Sequence, residues 1–420
     1  MICKVGEYRM QNVISCRVCR SINLQEVINL GTQPLSGVFP QNAEEFVSSG
    51  ELKLMRCAEC GLVQLGSSFP SEEMYGENYG YRSGLNSTMV NHLERIANGL
   101  IRKINLSAND VICDIGSNDG TFLKNFEGLN LDLIGIDPTA EKYRNHYPAG
   151  VKVVSDFFSK EIFFANQPKK AKIVTSIAMF YDLEDPVGFA SQVNEVICDD
   201  GYWLIEMSYA PWMQSSGAYD TICHEHLEYY SLADLSNILK LSGFYIKDVS
   251  TNAINGGSIT VLARKVLHIT SDPSSEYYHW LSNEESRSKV NTYESWNQFA
   301  QRVESRRDSL RSLINEISKA GKTLYGLGAS TKGNVLLNYS NLDKSLISAI
   351  GEVNPYKFGR VTPGSHIPII PEEDILKMNP DYLLFLPWHF RENAIQRYAP
   401  YLTNGGRFIF PLPSVEVLGY

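Results

Sequence analysis

The sequence predicts an α/β protein in three parts: a small cysteine-bearing N-terminal unit followed by two Rossmann-like α/β domains. Two C-x-x-C pairs lie within the first 60 residues, short apolar strands alternate with helical stretches from residue 111, and a second alternation begins at residue 323. We expect units at residues 1–75, 76–267 and 268–420. Within them, 76–110 is a linker with a lead-in helix, and 268–320 is a helical lead-in.

Length and charge narrow the class of protein. A chain of 420 residues is long enough for two or three domains with sizeable cores. The net charge of −9 gives no general attraction to nucleic-acid phosphates or anionic lipid. No apolar run reaches the roughly 18 residues of a membrane span, and residues 1–11 carry charges that do not fit a signal peptide. We expect a cytoplasmic protein that binds neither nucleic acid nor membrane.

The N-terminal unit carries the most specific cysteine pattern. Four of the eight cysteines form the pairs Cys16/Cys19 and Cys57/Cys60. A C-x-x-C turn presents two sulfurs to one ion, and four thiolates satisfy tetrahedral zinc without an open position. We therefore predict a structural zinc site; two separate redox pairs or buried thiols are the alternative. Short strands are expected between the pairs, at EVINL (26–30) and LKLMRC (52–57).

A linker rich in glycine and tyrosine, residues 75–84, leads to a helix predicted over residues 85–103. Five buried strands are then predicted, each ending near a turn, at residues 111–116, 131–137, 151–156, 171–179 and 201–208. Because strands that alternate with helices form open sheets, we expect a mostly parallel sheet here.

The first of these strands ends in the turn D-x-G-x-N-x-G, and a helix is expected directly after it. Its residues are Asp114, Gly116, Asn118 and Gly120. The glycines permit a tight turn and close approach of the backbone to a ligand, and a helix N-terminus supplies N–H donors. This spacing favours S-adenosylmethionine over a dinucleotide, for which G-x-G-x-x-G is typical. An α/β core with incidental glycines is the alternative.

The next two strands add groups of the kind that this cofactor needs. Strand two ends in Asp137, which is placed to accept from both ribose hydroxyls, and strand three ends in Asp156 and Phe157, which can meet the adenine amine and ring. The three strand ends are mutually consistent, and together they predict an S-adenosylmethionine site.

After the fifth strand, the segment 219–232 concentrates ionisable groups around C-H-E-H. It places His224, Glu225, His226 and Glu228 beside three tyrosines. H-E-H lacks the i, i+4 histidine spacing of a helical zinc site, so general acid/base work is the better interpretation, with His226 as base and Glu225 holding it or sharing its proton. Two satisfied histidines at a helix cap are the alternative. The position beyond a strand's carboxyl end favours a ligand site.

The C-terminal domain begins with a strand and the loop YGLGASTKGN, residues 325–334. Ser330, Lys332 and Asn334 sit where the next helix opens, and such a loop can cradle a phosphate on its backbone N–H groups. Glycines that merely allow strand–helix packing are the alternative. Arg360, His389 and Arg391 follow later strands, where they can bind a base and a diphosphate.

These motifs occur together in one known family. The four-cysteine unit, the D-x-G-x-N-x-G domain with its C-H-E-H segment and the G-x-G-A-S-T-K-G-N domain resemble, in this order, the nucleotide-sugar C-methyltransferases. Members such as the tetronitrose and mycarose pathway enzymes methylate carbon 3 of a dTDP-4-keto-deoxysugar. The resemblance covers essentially the whole chain.

The resemblance implies roles for single residues. His226 takes the proton from carbon 3, with Glu225 as its partner, and a tyrosine of the linker reaches the sugar, for which Tyr79 is preferred over Tyr81. Three positions depart from the family pattern. Cys223 stands where the family has a tyrosine. Ser176 and Phe180 replace an asparagine and a histidine, with Tyr181 or Asp182 available as a substitute contact.

We therefore expect an S-adenosylmethionine-dependent methyltransferase of deoxysugar biosynthesis, a monomer or homodimer, whose partner is a small-molecule nucleotide sugar bound between the last two domains. The methyl group would go to a carbon next to the keto group, with His226 as base. The alternative is a sugar O-methyltransferase, or a methyltransferase acting on another carbohydrate-pathway metabolite. A non-catalytic zinc-ribbon scaffold is a remote third possibility.

Overall fold

The computed structural model describes residues 10–75, 80–268 and 274–419. Residues in this part of the chain form four β-sheets: one of two strands, one of four, one of seven and one of six. The seven-stranded and six-stranded sheets belong to the two predicted Rossmann-like domains. The structure thus has the predicted α/β class, with two open sheets behind a small N-terminal unit.

The N-terminal unit is built on an antiparallel hairpin. Its elements are β1 (Gln11–Asn12), β2 (Leu24–Pro34), β3 (Ser49–Cys57), β4 (Val63–Leu65), β5 (Ser67–Ser68) and the short helix α1 (Ser71–Met74). Strands β2, β3 and β4 pair antiparallel in sequence order, and β1 pairs with β5. The two predicted strands are present and are longer than expected, β2 at both ends and β3 at its N-terminal end.

The central domain begins with the predicted lead-in helix. Helix α2 (Ser87–Lys103) starts at Asn86, whose side chain accepts from the amides of Thr88 and Met89. The elements that follow are β6 (Val111–Ile115), β7 (Asp132–Ile136), α3 (Ala140–Tyr143), β8 (Lys152–Val154), α4 (Lys160–Asn166), β9 (Ala171–Ile177), α5 (Pro186–Val196), β10 (Ile197–Ser208), α6 (Ala210–Ser216), β11 (Glu228–Tyr229), α7 (Leu232–Leu241), β12 (Phe244–Asn252) and β13 (Ser258–Lys265).

The central sheet has the order β12-β13-β10-β9-β6-β7-β8. Strands β10, β9, β6, β7 and β8 are parallel neighbours, whereas β13 is antiparallel to both β10 and β12. The carboxyl ends of the five predicted strands therefore meet at one edge. Strands β12 and β13 were not predicted from the sequence, and they make this sheet mixed rather than purely parallel.

The C-terminal part starts with two long helices and continues as a second open sheet. Its elements are α8 (Glu276–Ser288), α9 (Tyr293–Lys319), β14 (Leu324–Leu327), α10 (Thr331–Tyr339), β15 (Ile350–Glu352), β16 (Ile369–Pro371), α11 (Glu372–Met378), β17 (Tyr382–Phe385), α12 (Arg391–Arg397), α13 (Ala399–Thr403), β18 (Arg407–Phe410) and β19 (Glu416–Leu418). The sheet order is β16-β15-β14-β17-β18-β19, parallel except for β19.

The N-terminal sheet includes a strand from the region of the chain that contains the C-H-E-H segment. Strand β11, which follows His226 directly after Leu227, pairs antiparallel with β4, so that Glu228 lies opposite Gln64 and Tyr229 opposite Val63. The four-stranded order is thus β11-β4-β3-β2. The segment that carries the candidate base is therefore attached to the zinc unit by backbone hydrogen bonds.

One apolar cluster joins all three parts. It contains Leu52 of β3, Ile222 before the C-H-E-H segment, Phe299 of α9 and Leu336 of α10, each fully buried. Because the cluster runs through the junction, the three units pack as one core around the segment 219–229. Among the described helices, none is long and apolar enough to cross a membrane.

Candidate active site at the junction of three units

The four cysteines of the C-x-x-C turns converge on one point. Their sulfur atoms all lie within 4.8 Å of one another. The Sγ atoms of Cys16 and Cys60 are 3.5 Å apart, and so are those of Cys19 and Cys57, so each turn faces the other. Four thiol donors at this spacing fit tetrahedral zinc, and a site closed by four protein ligands has a structural role.

The turn after β6 has an unusual backbone. Gly116, Asn118 and Gly120 have positive φ angles of 76°, 49° and 75°. A Cβ atom at Gly120 would lie 2.6 Å from the Tyr147 ring, so packing requires glycine there. The helix expected after this turn is only a 3-10 turn, Leu123–Phe126. N–H donors at this edge therefore come from the loop backbone and not from an α-helix N-terminus.

Two carboxyl groups end the adjacent strands β6 and β7. Asp137 Oδ2 accepts from the Asn118 amide at 2.9 Å, whereas Oδ1 accepts from both the amide and the hydroxyl of Thr139, at 2.7 and 2.5 Å. Since a carboxylate oxygen accepts about two hydrogen bonds, Oδ2 keeps room for one ligand hydroxyl and Oδ1 is filled. Asp114 accepts from Thr175 Oγ1 at 2.6 Å, and burial raises its pKa to about 7.

Asp156 and Phe157 follow β8 on the same edge. The Asp137 amide donates to the Val154 carbonyl oxygen at 3.0 Å, which fixes the end of β8 beside that of β7. Asp156 is exposed and accepts from the Phe157 amide at 2.8 Å, and the Phe157 ring is 38% exposed. Both side chains are therefore accessible to a ligand that lies across the ends of these strands.

The backbone of the linker covers the turn after β6, residues 114–120, which we call the cofactor turn. The Ser83 amide donates to Asn118 Oδ1 at 2.9 Å, and Asn118 Nδ2 donates to the Tyr81 carbonyl oxygen at 3.1 Å. Arg82 Nε forms an ion pair with Asp119 Oδ2 at 3.0 Å. The ring of Tyr81, predicted to contact the substrate, is 47% exposed. Tyr79 lies outside the described residues.

His226 is held in one orientation by the main chain. Its Nδ1 is 2.9 Å from the Thr221 carbonyl oxygen, so the proton of the neutral ring belongs on Nδ1 and the lone pair on Nε2. Burial, with the nearby positive charge of Lys332 second, lowers the pKa of His226 to about 3. The ring is therefore neutral near pH 7, as a proton acceptor must be.

The segment after β9 lies against this histidine. The Tyr181 and His226 ring centroids are 4.3 Å apart, and the Leu227 amide donates to the Tyr181 carbonyl oxygen at 2.7 Å. Phe180 and Ser176, at the positions that depart from the family pattern, are fully buried in the core, where Ser176 Oγ accepts from the Trp203 indole at 3.1 Å. Tyr181 therefore contacts His226 directly, and its neighbour Asp182 is buried close enough to Glu225 for the two carboxyl groups to affect each other.

Glu225 faces the zinc unit and the C-terminal domain. Its Oε2 accepts from Ser36 Oγ at 3.4 Å, and the Ser36 carbonyl oxygen accepts from Asn334 Nδ2 at 2.8 Å. A Cβ atom at Gly37 would lie 2.6 Å from Glu225 Oε1. Burial raises the pKa of the Glu225 carboxyl. His226 Nδ1 is hydrogen-bonded to the Thr221 main chain. The Glu225 carboxyl group therefore contacts Ser36 of the N-terminal unit and not this ring nitrogen.

The other two polar side chains of the C-H-E-H segment are in the core. His224 is 1% exposed, its Nε2 lies 3.3 Å from the Gly50 carbonyl oxygen, and its ring packs edge-on against Phe69. Burial lowers the pKa of His224 to about 4. Cys223 is fully buried as well. The predicted substrate contact of His224 does not fit this position, because the ring packs into the zinc unit.

The glycine-rich loop of the C-terminal domain packs tightly on its own sheet. Gly328 has φ of 82°, and a Cβ atom there would lie 2.4 Å from Pro387. Ser330 Oγ accepts from the Gly333 amide at 3.1 Å and so caps α10. Lys332 Nζ donates to the Asn255 carbonyl oxygen at 2.7 Å, which joins α10 to the central domain. The Ser330 hydroxyl is thus a cap, and Lys332 is a cation whose charge acts on both His226 and His389.

The remaining predicted cations differ in their surroundings. Arg391 donates to both carboxylate oxygens of Glu416, at 2.6 and 2.8 Å, so its charge is already paired on β19. Arg360 donates to the Phe39 carbonyl oxygen at 2.8 Å. His389 lies near Lys332, and burial, with the lysine charge second, lowers its pKa to about 3. Of this group, His389 shares the surroundings of His226.

Sequence reasoning missed the groups that orient the site. Thr221 supplies its main-chain carbonyl, which leaves no side-chain signal, and Ser36 lies in a loop far from the segment that it contacts. Arg17, inside the first C-x-x-C turn, is 2% exposed. The sequence pattern alone does not distinguish an arginine that is buried beside two cysteines from one that is exposed to solvent.

Three family models match the chain in succession. They are described as "Putative zinc binding domain" over residues 16–75, "Methyltransferase domain" over residues 89–249 and "C-methyltransferase C-terminal domain" over residues 253–413. The four-cysteine cluster lies within the first match and the cofactor turn within the second. The chain is therefore an S-adenosylmethionine-dependent C-methyltransferase with an N-terminal zinc-binding domain and a C-terminal C-methyltransferase domain.

One individual protein matches along its whole length. This is the C-methyltransferase NovU of Streptomyces niveus, 28% identical over 421 residues, which covers 97% of this chain and 99% of NovU. Among solved structures, the mitomycin 7-O-methyltransferase MmcR is 15% identical, with a TM-score of 0.35 over 43% of this chain and 55% of MmcR. The O-methyltransferase NcsB1 from neocarzinostatin biosynthesis is 20% identical, with a TM-score of 0.33 over 43% of this chain and 56% of NcsB1.

Proposed function

We propose that this C-methyltransferase acts on a nucleotide-linked 4-keto-deoxysugar and methylates a carbon next to the keto group, with His226 as base. The observation that carries the proposal is the state of His226. Its Nδ1 donates to the Thr221 carbonyl oxygen, its ring is neutral near pH 7, and its Nε2 lone pair is left for a substrate proton. The resemblance of the three motifs to nucleotide-sugar C-methyltransferases supports this substrate class.

The reaction needs one proton acceptor and one aligned electrophile. S-adenosylmethionine supplies a methyl group on a positively charged sulfur. His226 Nε2 takes the proton from the carbon that the 4-keto group acidifies, and the C–H electron pair becomes an enolate. The enolate carbon then bonds to the methyl group, the sulfur keeps the electrons of the broken bond, and the proton stays on His226 until it passes to water.

A histidine with so low a pKa is a weak base unless its charged form gains a partner. In the transition state the imidazolium and the enolate form an ion pair in a poorly solvated site, where opposite charges attract strongly. The Lys332 ammonium lies close enough to affect both His226 and His389, and it adds stabilisation to the enolate oxygen. We assign the oxyanion to this side of the cleft. Glu225 remains the proposed partner of His226, and Tyr79 remains the proposed contact of the linker with the sugar.

The first prediction concerns the base itself. His226→Asn should lower turnover by at least 1,000-fold, on the order expected for loss of a general base together with its orientation, while S-adenosylhomocysteine still binds with unchanged affinity by calorimetry. His279→Asn, on the exposed face of α8, is the matched control and should behave as wild type. Turnover that survives in His226→Asn would show that the base is another group.

A second measurement separates methylation at carbon from methylation at oxygen. With dTDP-4-keto-6-deoxyglucose as the probe, in D₂O and with S-adenosylhomocysteine in the cofactor site, the wild type should exchange the proton next to the keto group, followed by NMR. His226→Asn should not. A sugar O-methyltransferase needs no such proton, so absence of exchange in an enzyme that methylates the probe at oxygen would replace the present proposal.

A further inference from the structure

Arg17 is a buried cation inside the zinc knuckle. It lies between Cys16 and Cys19, yet its side chain is 2% exposed. Its own amide donates to Gln64 Oε1 at 2.9 Å, which ties the knuckle to β4. Its guanidinium NH1 donates to the Leu65 carbonyl oxygen of the same strand at 2.9 Å.

The same guanidinium contacts two acidic side chains on different segments of the central domain. Nε donates to Glu184 Oε2 at 3.1 Å and lies 3.4 Å from Glu228 Oε1. The Glu228 side chain is fully buried, whereas that of Glu184 is 52% exposed. NH1 also reaches the Leu227 carbonyl oxygen at 3.5 Å. The planar fork of arginine can meet these acceptors together, which a lysine ammonium cannot do.

One of these two segments carries His226, and the other carries Tyr181, whose ring contacts that of His226. Leu227 and Glu228 follow His226 directly, and Glu184 lies three residues after Tyr181, whose ring centroid is 4.3 Å from that of His226. The Leu227 amide donates to the Tyr181 carbonyl oxygen at 2.7 Å. Arg17 therefore bridges the segment that follows Tyr181 and the segment that follows His226.

We infer that Arg17 is a positioning residue for His226: its guanidinium couples the folded zinc knuckle to the orientation of the histidine ring. The zinc site thereby acts on the active site through one side chain and through strand β11. The role of His226 as base is the proposed function on which this inference rests. A purely structural Arg17 would instead serve only the folding of the knuckle.

The test uses histidine ring NMR, which requires no substrate. In the full-length zinc-loaded protein with ¹⁵N-labelled histidine, the His226 signals are assigned by their loss in His226→Asn. In the wild type we expect one tautomer, with the proton on Nδ1 and no protonation down to pH 5, because burial keeps the pKa at about 3. In Arg17→Met the ring loses its enclosure, so it should sample both tautomers and titrate closer to the ordinary value of 6.5.

Two further variants make the result decisive. Glu228→Gln replaces the buried carboxyl group with an amide without touching the knuckle, and it should shift the His226 signals in the same direction by a smaller amount. Arg20→Met is the matched control, since Arg20 lies in the same knuckle but pairs on the surface with Asp185, with side-chain exposures of 58% and 54%. Its His226 signals should match the wild type.

Zinc content and S-adenosylhomocysteine affinity should be unchanged in all three variants. The inference is overturned if His226 signals in Arg17→Met coincide with those of the wild type, or if they move only where zinc is lost. With the probe sugar, Arg17→Met should lower kcat at least tenfold with little change in KM. Failure of the His226 base assignment would appear as activity in His226→Asn, which leaves the NMR result standing, so the two hypotheses fail separately.

Discussion

Burial shifts the pKa values of two side chains, His226 and Asp114, in opposite directions. His226 loses solvation of its cation, which lowers its pKa to about 3, and Asp114 loses solvation of its anion, which raises its pKa to about 7. Both groups are thereby biased toward the neutral form. For the histidine this supplies a ready lone pair, and for the aspartate it makes the charge near the cofactor turn dependent on pH.

A prediction about cofactor binding follows for Asp114. S-adenosylmethionine carries a positive sulfonium, so it should bind more tightly when Asp114 is ionised. Its affinity should therefore fall as pH drops below about 7, by up to about tenfold per pH unit, since binding must expel the proton from the raised carboxyl. Calorimetry between pH 5.5 and 8 measures this slope, and Asp114→Asn should flatten it. A wild-type slope that persists in Asp114→Asn would point to another group.

Gly37 offers a test of Glu225 that leaves the carboxyl in place. A Cβ atom at residue 37 would lie 2.6 Å from Glu225 Oε1, so Gly37→Ala must displace that side chain. We expect turnover of the probe sugar to fall about tenfold or more, with unchanged affinity for S-adenosylhomocysteine. Gly99→Ala, at a helical glycine with nothing within 4 Å of the added Cβ, is the control. Equal turnover in both variants would contradict a role for Glu225 at the site.

At the scale of elements, the sequence predicted the strands and helices that are encoded by a local pattern of apolar residues and turns. The five parallel strands of the central domain, helix α2 and the C-terminal series follow from apolar runs and the turns between them. The glycine turn at Gly328 was predicted as a phosphate cradle, and its tight packing on Pro387 supports the alternative, strand–helix packing. The sequence does not distinguish the two interpretations, because the missing Cβ of a glycine can make room either for a ligand or for a neighbouring side chain.

Elements whose partners lie far along the chain were not predictable. Strand β11 has two residues and gains its structure from β4, so its own sequence carries no strand signal. The hairpin β12–β13 closes the sheet beyond β10, and nothing in the preceding alternation of strands and helices requires it. The Tyr181–His226 contact likewise joins two segments that lie far apart along the chain. Residue types at the site could therefore be proposed from sequence, but their partners could not.

Helix α10 gives a prediction at this scale. Ser330 Oγ caps the helix by accepting from the Gly333 amide, and Lys332 is in its first turn. Ser330→Ala should cost about 1 kcal/mol of unfolding free energy and raise KM for the nucleotide sugar severalfold, because the helix start that carries Lys332 loosens. Ser159→Ala removes an equivalent cap of α4, which accepts from the Ile162 amide at 3.1 Å, and should lower stability alone.

Urea unfolding and steady-state kinetics measure the two effects of these cap variants. If Ser159→Ala raises KM as much as Ser330→Ala does, the change reflects general destabilisation and not the position of α10.

At the scale of the whole molecule, one core joins the zinc unit, the C-H-E-H segment and the C-terminal domain. A cluster shared in this way makes the stability of each part depend on the others. The net charge of −9 fits the same arrangement, because in an acidic protein the positive charge at the junction has to come from local cations such as Lys332.

Removal of zinc should therefore lower the stability of parts of the protein that lie far from the cysteines. A structural tetrathiolate site contributes on the order of 10 kcal/mol to folding, so chelation should unfold the N-terminal unit and expose the shared core. We expect the melting temperature of the C-terminal domain to fall with it, seen by calorimetry and by faster proteolysis after residue 320. A C-terminal domain that melts at the same temperature with and without zinc would show that the cluster does not couple the units.

Strand β11 also has a consequence for synthesis of the chain on the ribosome. The N-terminal unit emerges first, but the outer edge of β4 stays unpaired until Glu228 and Tyr229 leave the tunnel roughly 160 residues later. At about 5–20 residues per second that interval is on the order of 10–30 s. During this time an open strand edge is free to pair with other nascent chains. Slow translation or crowded polysomes should therefore lower the yield of active enzyme, even where the finished protein is stable.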